Sequence, residues 1–144
     1  MDNPKEVCAK LFDLLNDGGI ICLRIPVCDS YFYMKYGINW VQLDAPRHKF
    51  IYSNNSLDLL MKMSGLRIVH CYSDSKPFSY MASEMYSHNI SLVDVESFFQ
   101  NRIKQLFRLK YYLNLAKGKK IIRKFNDINF GDQRVYIIVK DNLK

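Results

Sequence analysis

Between Asp29 and His48 the chain gathers side chains whose types and spacing could do chemistry. His48 is of the type that takes a proton near neutral pH, Asp44 of the type that orients such an imidazole, and Arg47 of the type that anchors a carboxylate or phosphate. Tyr31, Tyr33, Tyr36 and Trp40 could wall a pocket for a sugar or ring. Each has a plainer alternative. Asp44 and Arg47, three apart, can pair with each other, His48 can bond a backbone carbonyl, and loop aromatics often cover a core. Outside this stretch, His70 falls in an alternating strand pattern and His88 stands alone, which suits structural roles. Cys8, Cys22, Cys28 and Cys71 show no C-x-x-C pair and no metal-ligand spacing, so no metal is expected and the thiols read as small reduced hydrophobes.

The elements that must position these residues are legible from caps and periodicity. Asn3 can cap a helix with Pro4 at its first position and Glu6 as capping-box partner, and Val7, Leu11, Leu14 and Leu15 form its stripe before Asn16-Asp17-Gly18-Gly19 stops it. Ile20 to Ile25, almost continuously apolar and ended by Pro26, reads as a strand covered on both faces. Val27 to Tyr52 shows no dominant period and reads as a long functional loop with room for a short helix. Ser53 or Asn54 caps a helix with Leu57, Leu60 and Met61 inward, ended by Gly65, and Leu66 to Tyr72 is a strand. After a loop around Lys76-Pro77, Ser91 and Asp94 have capping spacing before a helix from about Leu92 to Lys117, with Phe99, Ile103, Leu106, Leu109 or Lys110, and Leu113 inward and Gly118 closing it. A Gly131-Asp132 turn leads to a last strand, Arg134 to Lys140.

Composition bounds the class. With 144 residues, 49% hydrophobic and 14% aromatic, the chain can bury one core and reads as a single domain. No apolar run approaches the roughly 20 residues of a membrane span, and the polar N-terminus lacks a secretory signal, which implies a cytoplasmic protein. The net charge of +7 is uneven. Residues 1–101 carry 9 Lys and Arg against 11 Asp and Glu, whereas residues 102–144 carry 12 against 3. A basic stretch of this kind, interleaved with Phe107, Tyr111 and Tyr112, is a solvated helix face, or it meets an anionic membrane surface or phosphates. Nucleic acid is disfavoured because no recognition motif accompanies the charge.

Two stretches also resemble a known family. Tyr36-Gly37 through Trp40 to Leu43-Asp44-Ala45-Pro46-Arg47-His48, and Tyr52-Ser53 through Ser64-Gly65-Leu66, are similar to class I S-adenosylmethionine-dependent methyltransferases of the ubiquinone-biosynthesis and polysaccharide-cluster type. The opening helix, Ile20 to Ile25, Pro26 and the pair Asp29-Ser30 fit the same pattern, so the resemblance covers residues 1–66. It implies an α/β, partial Rossmann-like fold. Its three-stranded mixed sheet would take the family's order five, seven, six, flanked by helices, with a basic helical insertion over residues 91–124 before the last strand.

The family's cofactor half, with its Gly-rich turn, has no counterpart, and Pro26-Val27 and Gly65-Leu66 depart from the usual Pro-Asn and Gly-Phe. The resemblance therefore implies a C-terminal, acceptor-side part, which uses S-adenosylmethionine only in the complete enzyme and binds none alone. The alternative is a non-catalytic interaction module working through its basic helix. Methyl transfer is an in-line displacement, so a base is needed only for a hydroxyl acceptor. His48, oriented by Asp44, would be that base. Asp29, Ser30, Tyr36, Trp40 and Arg47 would hold a small-molecule, saccharide or lipid-linked acceptor. The unpaired edge of Ile20 to Ile25 would favour a dimer.

Overall fold

A computed structural model describes residues 3–92 and 104–141, with the backbone alone for 104–115. The fold is mixed α/β. Helix α1 (Pro4–Leu14) leads to β1 (Ile21–Pro26), short α2 (Tyr31–Tyr36), two 3-10 turns, α3 (Asn54–Met63), β2 (Leu66–Ser73), α4 (Pro77–Ser87), α5 (Lys104–Asp127) and β3 (Gln133–Lys140). The strands lie in the order β1-β3-β2, and β3 is antiparallel to both neighbours. The expected order and the central place of the last strand are therefore observed. The sheet is antiparallel in both of its pairs rather than mixed.

Local chemistry accounts for most element ends. Asn3 caps α1 by accepting the Glu6 N–H, while its own amide donates to the Glu6 carboxylate at 2.7 Å. Ser53 and Ser56 form a complete capping box on α3. Gly65 makes the turn into β2 at φ +71°, a conformation that favours glycine, and a side chain there would meet the Phe12 ring at 2.9 Å.

One face of the sheet is the core. Cys8 of α1 and Leu57 and Met61 of α3 pack on Val27, Leu66, Tyr136 and Ile138, with Phe12, Leu15, Leu23 and Ile68 around them. Leu14, expected inward, is 79% exposed, because the stripe that meets the sheet is Cys8, Phe12 and Leu15. On the other face Val135 of the central strand is buried, whereas the two edge strands are largely open. Cys22 and Arg24 of β1 are exposed, as are Val69, His70 and Tyr72 of β2, which corrects the reading of β1 as covered on both sides. A register shift at Val69 interrupts the β2–β3 ladder.

A second core lies beside the sheet, where Phe32, Tyr36 and Trp40 pack against Tyr80 of α4 and Ile122 of α5. Two expectations change here. Pro77–Ser87 is a helix, not a loop. Gly118 does not end a helix but sits buried within α5, where a Cβ would lie 2.7 Å from the Tyr80 ring. Its missing side chain lets α4 and α5 approach, so packing outweighs its poor helix propensity. Ser91 and Leu92, at the expected helix start, are described and not helical, whereas the Asp94 cap and Phe99 and Ile103 lie outside the described residues, as do the side chains of Leu106, Leu109, Lys110 and Leu113. No helix among the described residues is long and apolar enough to cross a membrane, and the four cysteines are free thiols.

Candidate functional site

The candidate residues sit in the segment between β1 and α3, which is tied down at both ends. Val27 N–H donates to the Asp132 carbonyl (2.9 Å), Cys28 N–H to that of Tyr52 (3.0 Å) and Tyr31 N–H to that of Phe130 (3.1 Å). Ser30 is wholly buried and caps α2, its hydroxyl accepting the Tyr33 N–H at 3.3 Å. It is an architectural residue.

Tyr36 and Trp40, proposed as pocket walls, instead cover the core. Tyr36 donates its hydroxyl to Glu84 Oε2 at 2.5 Å and accepts from Lys35 Nζ at 2.8 Å. Burial, then the bond to Glu84, pushes the Tyr36 phenol far above its ordinary value. Burial would raise the Glu84 carboxyl, but the bond from Tyr36 and the Lys35 charge outweigh it, so the group is held below its ordinary value. Trp40 is 1% exposed, and its indole N–H donates to Asp132 Oδ2 at 2.7 Å. That oxygen also accepts from the Ser79 hydroxyl. Tyr33 meets Trp40 edge-on, 5.4 Å between centroids, and is partly exposed.

His48, Asp44 and Arg47 share one turn without forming a catalytic pair. Asp44 adopts the left-handed conformation (φ 35°), and its carbonyl accepts the N–H groups of Arg47 (2.8 Å) and His48 (3.3 Å). Its carboxylate lies 3.2 Å from Arg47 Nε. His48 Nδ1 meets the Gln42 carbonyl at 2.7 Å, so this nitrogen carries the hydrogen and Nε2 is the one left to accept a proton. Asp44 therefore does not orient the imidazole: the chain reversal turns its carboxylate back to Arg47, and the Gln42 carbonyl takes the orienting role. Arg47 is 81% exposed and fills no pocket.

The most concentrated polar chemistry lies elsewhere, at the carboxyl end of β1. Asp29 Oδ2 accepts the Asn54 backbone N–H at 2.9 Å, at the start of α3, and the Asn54 side-chain amide as well. Asn54 Oδ1 accepts the Tyr136 hydroxyl at 2.6 Å. Tyr136 faces Cys71 across the β2–β3 ladder, and Arg134 lies two residues before it on the same face, donating from Nη2 to the Asn129 carbonyl at 2.5 Å. Burial pushes the Cys71 thiol up against the opposing pull of Arg134. It also raises the Tyr136 phenol, with Cys71 adding to the shift. Two atoms of this cluster are buried without a partner, Asp29 Oδ1 and Arg134 Nε. A carboxyl oxygen and a guanidinium N–H, buried without partners beside a phenol and a thiol, are one acceptor and one donor that a water or a hydroxyl would satisfy.

Of the candidate residues, Asp29 alone belongs to this cluster. Asn54, Cys71, Arg134 and Tyr136 were not singled out. Their sequence signal is parity: Arg134 and Tyr136 share the inward alternation of Ile138, where a strand serving only a core would be apolar. Among the described residues no three His, Cys, Asp or Glu side chains are grouped to hold a metal ion. In comparisons with known proteins, no family model, no curated protein and no solved structure matches the chain.

Proposed function

We propose that the chain is the C-terminal, acceptor-side part of a class I S-adenosylmethionine-dependent methyltransferase, and that alone it transfers no methyl group. The observation that carries this reading is the sheet. A last strand inserted antiparallel between two earlier ones, β1-β3-β2, is the order five, seven, six that the residue pattern of 1–66 implies. The residues present do not fit the cofactor itself. Each strand is followed by residues other than glycine, and Gly65 and Gly131 precede strands, whereas a nucleoside-binding turn follows one.

In this reading Asp29 is the residue that meets the acceptor. Asn54 fixes one of its oxygens and the other is buried without a partner, an unmet acceptor that a hydroxyl of a saccharide or lipid-linked acceptor would satisfy. His48 Nε2 is the free basic nitrogen of the adjoining segment. The outer edge of β1, where a further strand of the complete enzyme would pair, is covered in the isolated chain by a second copy.

The test is calorimetry with S-adenosylmethionine on two proteins, the chain itself and the chain extended by whatever coding sequence precedes Met1. The expected result is saturable binding only by the extended protein, through an upstream strand and Gly-rich turn. Low-micromolar binding by the chain alone would show that the cofactor site has been misplaced. An upstream sequence without such a turn would favour an interaction module.

A further inference from the structure

Helix α5 commits only one side of its last turns to the fold. Gly118 and Ile122 are buried and Phe125 is half-buried, at i, i+4 and i+7, with Phe125 stacked on Tyr31 at 3.8 Å between centroids. The opposite side presents Lys117, Lys119, Lys120, Arg123 and Lys124, all exposed, with Asp127 as the one carboxylate between residues 116 and 127. Among the described residues none of the five has a carboxylate within 4 Å; Lys124 alone makes a ring contact, over Phe125. Among the described residues elsewhere the pattern is mixed: Lys5, Lys10, Arg134 and Lys140 also lack an ion pair, but they are divided between α1 and β3 and set no run of like charges on one helix face. Arg24, Lys35, Arg47, Lys62, Arg67 and Lys76 each hold a carboxylate at 2.5 to 3.6 Å.

Ordinary solvation of a helix face does not explain this difference. A solvated face normally alternates the signs of charge at i, i+3 and i+4, whereas Lys117–Lys120, Lys119–Arg123 and Lys120–Lys124 set like charges at those spacings and destabilise the free helix. The helix dipole favours cations only in the last turn, which covers Lys124 but not Lys117 to Lys120. Five cations along about 11 Å of axis lie near enough, at a screening length of about 8 Å, to act as one patch.

We infer that this face of α5 docks the protein on an anionic bilayer surface. Near the end of the same helix stand exposed large apolar side chains that such a surface uses. Ser75 and Asn126 exchange two hydrogen bonds of 3.1 Å, which hold the start of α4 against the end of α5. Phe78 at that start is 56% exposed and Ile128 just beyond α5 is 61% exposed. Cations meet lipid phosphates while apolar groups enter the interface; a nucleic acid offers the phosphates but nothing for Ile128. The inference goes beyond the methyltransferase reading and stands without it.

The test is co-sedimentation of the full chain with phosphatidylcholine vesicles, plain or containing one-third phosphatidylserine, over a range of salt. Binding should require phosphatidylserine and weaken as salt rises. A basic side chain at such a surface changes partitioning by about fivefold. The variant Lys119→Gln/Lys120→Gln/Arg123→Gln/Lys124→Gln should therefore bind at least about a hundredfold less while keeping its circular dichroism. Should it fail to fold, Lys119→Gln/Lys120→Gln alone should lose about twenty-fold. Lys5→Gln/Lys10→Gln/Lys62→Gln/Arg67→Gln removes the same charge elsewhere and should change binding little. Equal losses in the two quadruple variants, equal binding to neutral vesicles, or preferential binding of a duplex DNA at matched salt would each overturn the inference.

Discussion

Replacing Trp40 by Phe tests how the segment carrying the candidate residues is anchored. Trp40 is the chain's single tryptophan, buried, with its N–H on Asp132 Oδ2 at 2.7 Å. Asp132 is itself fully buried, shares that oxygen with the Ser79 hydroxyl and leaves Oδ1 without a partner. Phe keeps most of the ring but removes the donor, leaving the carboxyl one side-chain donor for two oxygens. Loss of such a buried bond costs about 1–3 kcal/mol, and the void left by the smaller ring adds about 1 kcal/mol. The expected total, about 2–4 kcal/mol, is a large share of the about 5–15 kcal/mol that holds a typical domain.

Urea unfolding followed by far-UV circular dichroism measures this change, since the fluorescent probe leaves with the residue. The midpoint should fall at unchanged slope. Ser79→Ala removes the other donor to the same oxygen, so the two changes should be non-additive in the double variant. A loss under about 0.5 kcal/mol for Trp40→Phe, or strict additivity with Ser79→Ala, would refute the idea that Asp132 fastens this segment.

Two further outcomes follow. Glu84 is held below its ordinary value of 4.5, so its ionised form stabilises the fold above that pH and the contribution disappears as pH falls through the lowered value. Glu84→Gln should therefore destabilise at neutral pH and match the parent in strong acid; a pH-independent gap in urea midpoints would contradict this. On a size-exclusion column with light scattering, the chain should run as a dimer at tens of micromolar. A monomer whose Ile21 to Pro26 amides exchange as slowly as those of β3 would mean that the edge is covered from within.

Much of the fold was legible because its signals are local. Caps at Asn3 and Ser53, the glycine turns and the two-residue alternation of β2 and β3 are set by neighbours within a few residues, and their boundaries hold within a residue or two. Helix α4 was not legible. Its inward side is Ser79, Tyr80, Ala82 and Ser83, small or polar residues that show no apolar stripe yet suit close approach to Gly118 of α5. Gly118 carried the wrong message for the same reason: chemically it is a helix stop, and only the neighbouring Tyr80 makes it a packing residue.

The candidate site divides along the same line. Residue types placed chemistry in the 29–48 segment, and Asp29 remains central to it. The partners were decided by tertiary structure: Asp29 meets Asn54, 25 residues away, Trp40 meets Asp132, 92 residues away, and Tyr136 meets Asn54, 82 residues away. Composition and spacing determine which groups a chain possesses and which local shapes it favours. Which donor faces which buried oxygen depends on how three strands and their covering helices close on one another, and a buried polar atom must take the partner that closure supplies.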